Sequence, residues 1–364
     1  MEITIPHEQL LKALELVGRI SSKNVTLPVL QCVKLVAKEN KVTLQATNLE
    51  INLTIPLEGE VSEEGEVAVP AQTFLQSIQL ISQKEVTLRT EEQVLQLETS
   101  SSNTSIKTFA TDEFPTIHKI EGEGVSVTAK SFAYGIRSVA FAASATSIKP
   151  ELGSVFIQQK KEHSLTFVAT DSFRLMEKTV SQKKLILDQS FMVPSKNALE
   201  LARICDAVDS EPKLIVNENQ CALVFEGGLY VSSRLVTGSF PDYTQIIPKE
   251  YASHVVVLKE DLMKAFKKTN IFLNKFRQVS ITITDKNLTI AANNNDVGQT
   301  TDTINAEVDG DELGLSFNQQ YVMDPLSHIQ DDSIKLSFAG IGRAMVMQGN
   351  NDKSLRYLVM PMNK

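Results

Sequence analysis

Apolar and polar positions alternate in short runs along much of this chain, and the runs recur at a fixed spacing. Val42-Thr43-Leu44-Gln45-Ala46-Thr47, Leu165-Thr166-Phe167-Val168-Ala169-Thr170 and Leu288-Thr289-Ile290-Ala291-Ala292-Asn293 begin 123 residues apart. Alternation with period two is the mark of a half-buried strand. Other strand patterns, at Glu2–Ile5, Val125–Val127 and Val255–Val257, run into segments with apolar groups at helical spacing. These segments predict helices over Leu10–Ile20, Phe132–Ala143 and Leu262–Thr269. A further junction, Val69-Pro70-Ala71, Val193-Pro194-Ser195 and Phe317-Asn318-Gln319, returns every 124 residues. Each copy precedes another helical pattern, at Phe74–Ile81, Ala198–Val208 and Tyr321–Ile329. Phe114-Pro115 and Phe240-Pro241 close the first two units.

Three elements in one order at one period define an internal repeat. Each unit of roughly 120 residues then holds two helices and about eight strands, an α+β pattern of antiparallel sheets with one face on a core. Polar, turn-prone stretches at Glu121–Gly124 and Lys249–Ser253 divide three similar domains, 1–122, 123–250 and 251–364. Gly227-Gly228, between two strand patterns, reads as a hairpin turn.

Composition narrows the function. Hydrophobic residues make up 42% and charged residues 22%, with no Trp, so aliphatic cores are expected. No apolar run approaches the roughly 18 residues that cross a bilayer, and the N-terminus lacks a leader pattern. Cys32, Cys205 and Cys221 are odd in number and far apart, which predicts reduced thiols in the cytoplasm and neither a disulfide framework nor a zinc site. The five histidines are scattered, and no phosphate-loop, dinucleotide or nucleophile-elbow motif occurs. Asp171 and Asp242 are the best carboxylates for catalysis, but beside Thr and Pro at strand ends such residues more often shape turns. No enzyme and no cofactor is expected.

The net charge is −8, unusual for a protein that holds DNA by neutralising phosphates. Cations do collect on the exposed positions of the first helices, Lys12, Arg19, Lys130 and Arg137, and most densely in the third unit, which adds Lys259, Lys264, Lys267, Lys268, Lys275 and Arg277. A solvated face of mixed charge explains these equally well. The end of the chain, Tyr357-Leu358-Val359-Met360-Pro361-Met362, is apolar at nearly every position. It must be covered by its own domain or by a partner, and methionines suit a surface that accepts varied side chains.

Taken together, the sequence resembles the bacterial sliding clamps, the β subunits of DNA polymerase III, over essentially its whole length. The resemblance rests on Thr26–Leu30, Val168–Leu175, Ser239–Tyr243 with Ile246 and Pro248, Phe317–Val322 and Tyr357–Met362. It implies the DNA clamp fold in a head-to-tail homodimeric ring, with helices lining a central hole and sheets outside. Duplex DNA would be held by topology without sequence preference, which removes the objection from net charge. The replicative polymerase, the clamp loader and repair polymerases would dock through short hydrophobic peptides, with no membrane involved.

The resemblance carries a partner pocket onto named residues. Its deep part would comprise Leu152, Thr170, Phe173, Arg174, Leu175, Pro241, Ile246, Leu358 and Met360; its shallower part Asn318, Tyr321, Ala344, Pro361 and Met362. The sequence departs from the family at Phe173, where His is frequent, and at Ser172, where Gly is frequent; Gln245 lacks the basic character common there. The resemblance further places Lys23, Arg137, Lys149, Lys264 and Lys268 toward DNA, and Ile106, Ile271 and Phe272 at the dimer seam. Two rivals stand beside this reading: a peptide-binding scaffold that never meets DNA, and an enzyme with an unrecognised site.

Overall fold

The structure, a computed structural model, describes every residue except 22–26, 101, 147, 184 and 363–364. Six α-helices occur among the described residues, two per sequence repeat: α1 His7–Val17, α2 Ala71–Gln79, α3 Ala129–Ala140, α4 Ser195–Ala207, α5 Lys259–Thr269 and α6 Gln319–Met323. Most begin about three residues before the first apolar position of the expected helix. The reason lies in the junctions. Pro6 and Pro70 stand at the N-caps of α1 and α2 without a side-chain cap, so the helix starts directly from the end of a strand. In the third repeat Asn318 replaces the proline, and its Oδ1 accepts the N–H groups of Gln320 and Tyr321. The long helix expected at Tyr321–Ile329 is cut short. Pro325 has no N–H for the α ladder, and the chain continues as a 3-10 turn over Asp324–Ser327.

Two compact units form. The first comprises Met1–Ala133, Lys183–Leu185 and Lys196–Leu235; the second comprises Tyr134–Gln182, Ile186–Ser195 and Val236–Lys364. These cut across the repeats because sheets run through from one repeat to the next. In the first unit Tyr230–Arg234 pairs antiparallel with Ile51–Leu57, making one eight-stranded sheet from strands of repeats one and two. In the second, Arg174–Ser181 pairs with Leu355–Val359 and fuses repeats two and three into a nine-stranded sheet. A five-stranded sheet completes the first unit and a four-stranded sheet, ordered Gly298–Asn305, Asn287–Asn294, Gln278–Thr284, Leu313–Asn318, completes the second.

The cores are mostly aliphatic, with single aromatic side chains buried among them. Helix α1 buries Leu10, Ala13, Leu14 and Val17 on one stripe. In the second unit Phe167, Phe266, Phe317 and Tyr357 are fully buried. Gly135 in α3 is dictated by packing, since a Cβ there would sit 2.3 Å from the Phe167 ring. Gly227 and Gly228, with φ of 80° and 89°, make the expected turn between Gln220–Val224 and Tyr230–Arg234.

Candidate partner-binding cleft

The strands Ser164–Thr170 and Arg174–Ser181 form a hairpin with Thr170 opposite Leu175, leaving Asp171, Ser172 and Phe173 in the turn. Asp171 Oδ1 accepts the N–H groups of Phe173 and Arg174, each at 3.0 Å, while Oδ2 accepts Arg174 Nε at 3.0 Å. The Thr170 hydroxyl donates to the Arg174 carbonyl at 2.6 Å and accepts the Ser172 N–H at 3.2 Å. These bonds hold Ser172 at φ +77°, a conformation that favours glycine. That is the physical content of the departure from the family at this position. The turn projects Phe173 into solvent, 62% exposed.

Arg174 turns the other way. Besides Asp171 it donates to Asp324 Oδ2 and, at 2.9 Å, to the Phe141 carbonyl, and its guanidinium lies 4.4 Å from the Tyr321 ring centroid. Burial works against the charge, but Tyr357, Asp324 and Asp171 outweigh it and hold the guanidinium above its ordinary pKa. The Tyr357 hydroxyl donates to the Tyr321 carbonyl at 2.7 Å. Arg174 therefore braces Tyr321 and the hairpin turn from beneath.

The chain end completes the geometry. Leu355, Tyr357, Leu358 and Val359 are all buried, so the last strand is covered on both faces by its own unit. Beyond it the Met360 N–H donates to the Phe173 carbonyl and the Met362 N–H to the Ser316 carbonyl, each at 2.8 Å. The terminal segment is thus tied to the hairpin and to the four-stranded sheet. Together they enclose an open cleft of about 510 Å³. Six of the fourteen pocket residues expected from the sequence line it: Phe173, Asn318, Tyr321, Met360, Pro361 and Met362. Lys275, Phe276 and Arg277 complete it and were not anticipated. The signal for them was an aromatic between two cations in a turn opened by Asn274.

The remaining eight take other places. Leu175, Ala344 and Leu358, expected as pocket lining, belong to a closed cluster with Val168, Tyr243 and Val346 and are at most 5% exposed. Leu175 and Leu358 face each other on paired strands, and Ala344 stands just before the strand Met345–Gly349, so all three are packed inside this cluster. Thr170 is buried and serves the hairpin turn, and Arg174 is the brace just described. Leu152 is half-buried in the 3-10 turn Pro150–Gly153. Pro241 and Ile246 are exposed, on a segment anchored by Tyr243, whose hydroxyl donates to Glu177 at 2.6 Å. Burial would raise the Glu177 pKa, but Lys160 and Tyr243 more than offset it and hold the carboxylate ionised below its ordinary value.

Asp171 and Asp242, the carboxylates weighed for catalysis, are both committed to turns. Asp242 caps the 3-10 turn Tyr243–Ile246, accepting the Thr244 hydroxyl at 2.6 Å and Gln245 Nε2 at 2.7 Å. Among the described residues no cluster of His, Cys, Asp and Glu is arranged to hold a metal, and no helix is long and apolar enough to cross a membrane.

Three profiles match in succession along the chain: the DNA polymerase III beta subunit N-terminal domain over residues 1–118, its central domain over 126–242 and its C-terminal domain over 244–363. The beta sliding clamp of Pseudomonas aeruginosa is 30% identical over 369 aligned residues, covering 100% of both chains. The chain belongs to the beta sliding clamp family. The clamp of Vibrio cholerae is 28% identical, again over 100% of both. A crystal structure of the Pseudomonas aeruginosa DNA polymerase III subunit beta superposes with a TM-score of 0.94 at 28% identity over the full length of both chains, and another from that organism, at 0.93 and 28%, is bound to griselimycin. The three-domain clamp fold, α+β with antiparallel sheets, is therefore that of this chain.

The residues assigned to the clamp's DNA side and seam are more dispersed. Arg137 on α3 and Lys149 are exposed. Lys264 and Lys268 on α5 are exposed but paired, with Glu260 at 2.6 Å and Asp302 at 2.8 Å. Such surface pairs contribute little and weaken with salt. Lys23 lies outside the described residues. Ile271 is 69% exposed and Phe272 half-buried in the turn Asn270–Phe272. Ile106, at 4% exposure, has its side chain buried, whereas the other residues of Asn103–Lys107, an edge strand, are exposed.

Proposed function

We propose that this chain is a non-catalytic processivity clamp of the cytoplasm, two copies of which close head to tail around duplex DNA. Its domains would be 1–122, 123–250 and 251–364. The cleft at Phe173 and Met360–Met362 would hold short apolar segments of the replicative polymerase, the clamp loader and repair polymerases. The observation that carries this reading is the end-to-end match to clamps, joined to an open apolar cleft where the family pattern put one. Two unlike edge strands, Asn103–Lys107 and Gly298–Asn305, leave unpaired backbone groups. Pairing one with the other between copies is a heterologous contact, the kind that closes into rings. Ile271 and Phe272 would lie near that seam, with Ile106 supporting its strand from within. Arg137, Lys149, Lys264 and Lys268 would face the DNA. Their modest and partly paired charge suits a ring that slides, because fixed phosphate contacts would resist motion.

Net charge −8 and the paired lysines of α5 favour one alternative, a peptide scaffold that never meets DNA. Loading with the cognate loader and ATP onto a nicked circle separates the two. The clamp is expected to co-elute with the circle and to be lost once a restriction enzyme linearises it. Equal retention on circle and linear DNA would overturn the topological mechanism, and no retention on either would favour the scaffold.

A further inference from the structure

The four-stranded sheet of the second unit has a clean inside and outside. Val279, Ile281, Leu288, Ile290 and Phe317 are buried on one face. The side chains that alternate with them, Ser280, Thr282, Thr289, Asn293, Thr301 and Thr303 among them, are exposed or half-buried on the other. Among the described residues no outward position of the four strands carries a charge, although charged residues make up 22% of the chain. Asp302 lies on the helix side, where it pairs with Lys268 at 2.8 Å. The fold does not impose this neutrality. The matching strands of the first repeat, Cys32–Lys38, Lys41–Thr47 and Gly65–Pro70, put Lys34, Lys38, Lys41 and Glu66 on the same face, and Lys34 pairs with Glu66 at 2.9 Å.

A charged partner would lose water on such a face and meet no counter-charge there. Hydroxyls and side-chain amides both donate and accept, so the face is complementary to a copy of itself. A chain of net charge −8 repels its own copies, and this patch adds nothing to that repulsion. We propose that the outer face of this sheet is a self-association surface, on which two copies pack sheet on sheet about a twofold axis. This goes beyond the clamp reading and uses none of the edge-strand backbone that would close a ring. The face is four strands wide and up to eight residues long. That is roughly 400 Å², about half of what each partner gives to a standard interface. A hollow of about 340 Å³ at Gln278, Ser280, Asn293 and Asn295 reduces close contact further and would stay wet. The contact is therefore weak and grows with concentration.

The test is sedimentation equilibrium of the full-length protein. Between about 10 µM and about 1 mM the weight-average mass is expected to rise at least about 1.3-fold, the behaviour of a small interface. Added salt should leave the rise intact or enlarge it, because only like-charge repulsion is screened. Thr282→Glu and Thr282→Lys, each at an exposed position in mid-strand, should weaken the association about tenfold, since each buries an unpaired charge. An equimolar mixture of the two variants should recover it. Thermal unfolding and the particle mass at the lowest concentration should stay unchanged in both, which separates this face from ring closure. No rise for the unaltered protein, or a rise that persists in both variants, would overturn the proposal. Loss in both variants without recovery on mixing would overturn it too, since the face would then pack on a different surface. Suppression of the rise by the neutral sugar maltoheptaose, with no such effect from glycerol, would give the face to a glycan and overturn it as well.

Discussion

Replacing Arg174 by alanine is expected to destabilise the second unit by about 3 kcal/mol, the scale of breaking a buried ion pair by removing one partner. The side chains of Arg174, Asp171 and Asp324 are 10%, 12% and 27% exposed, so solvent screens this network only partly. Alanine leaves two carboxylates and the Phe141 carbonyl without their donor and removes the guanidinium from the Tyr321 ring. Lysine should restore part of the loss, as it keeps the charge but not the fork that reaches three acceptors. Hydrogen exchange reads the effect locally. Protection of Arg174–Ser181 should collapse first, and unchanged protection there would show that the brace contributes nothing.

Deleting Met360–Lys364 is expected to abolish peptide binding, a loss of at least about a hundredfold from the roughly micromolar affinity typical of such small contacts. The deletion removes Met360, Pro361 and Met362 from the cleft wall. It leaves Leu355–Val359 in place, with the pairings of that strand to Arg174–Ser181 and Met345–Gly349 intact. Among the described residues two terminal backbone hydrogen bonds are lost, worth about 1 kcal/mol each. Fold and binding should therefore separate: thermal unfolding moves by a few degrees while titration calorimetry with a partner peptide goes flat. Affinity retained after the deletion would remove the chain end from the site.

The division at Val359 explains why the terminal run was ambiguous as sequence. Core strand and partner surface were both reasonable readings of Tyr357–Met362; the core strand runs to Val359, and the open segment beyond it is where the partner surface is proposed. Leu358 is 1% exposed and Met360 39%. The repeat itself was legible because period-two strands and apolar helix stripes are local signals. Pairings between residues roughly 180 apart, such as Leu175 with Leu358 or Val231 with Leu53, have no such signal, so the sheets that fuse the repeats were not legible. The same gap explains the cleft. Phe173 and the terminal methionines came through the family pattern, whereas Lys275 and Arg277 counted only among the third unit's cations, and no local signal set them beside the chain end. Leu175 and Ala344 carried no mark separating lining from floor, since both positions demand an apolar side chain.

The most direct measurement of the central claim is a methyl NMR titration of the full-length protein, labelled at methionine, with a partner peptide. Met345 and Met347, both fully buried in the strand Met345–Gly349, serve as internal references. The Met360 and Met362 methyls should shift together and saturate near micromolar peptide, while Met345 and Met347 stay in place. A peptide that binds with Met360 and Met362 unmoved would contradict the assignment of this cleft.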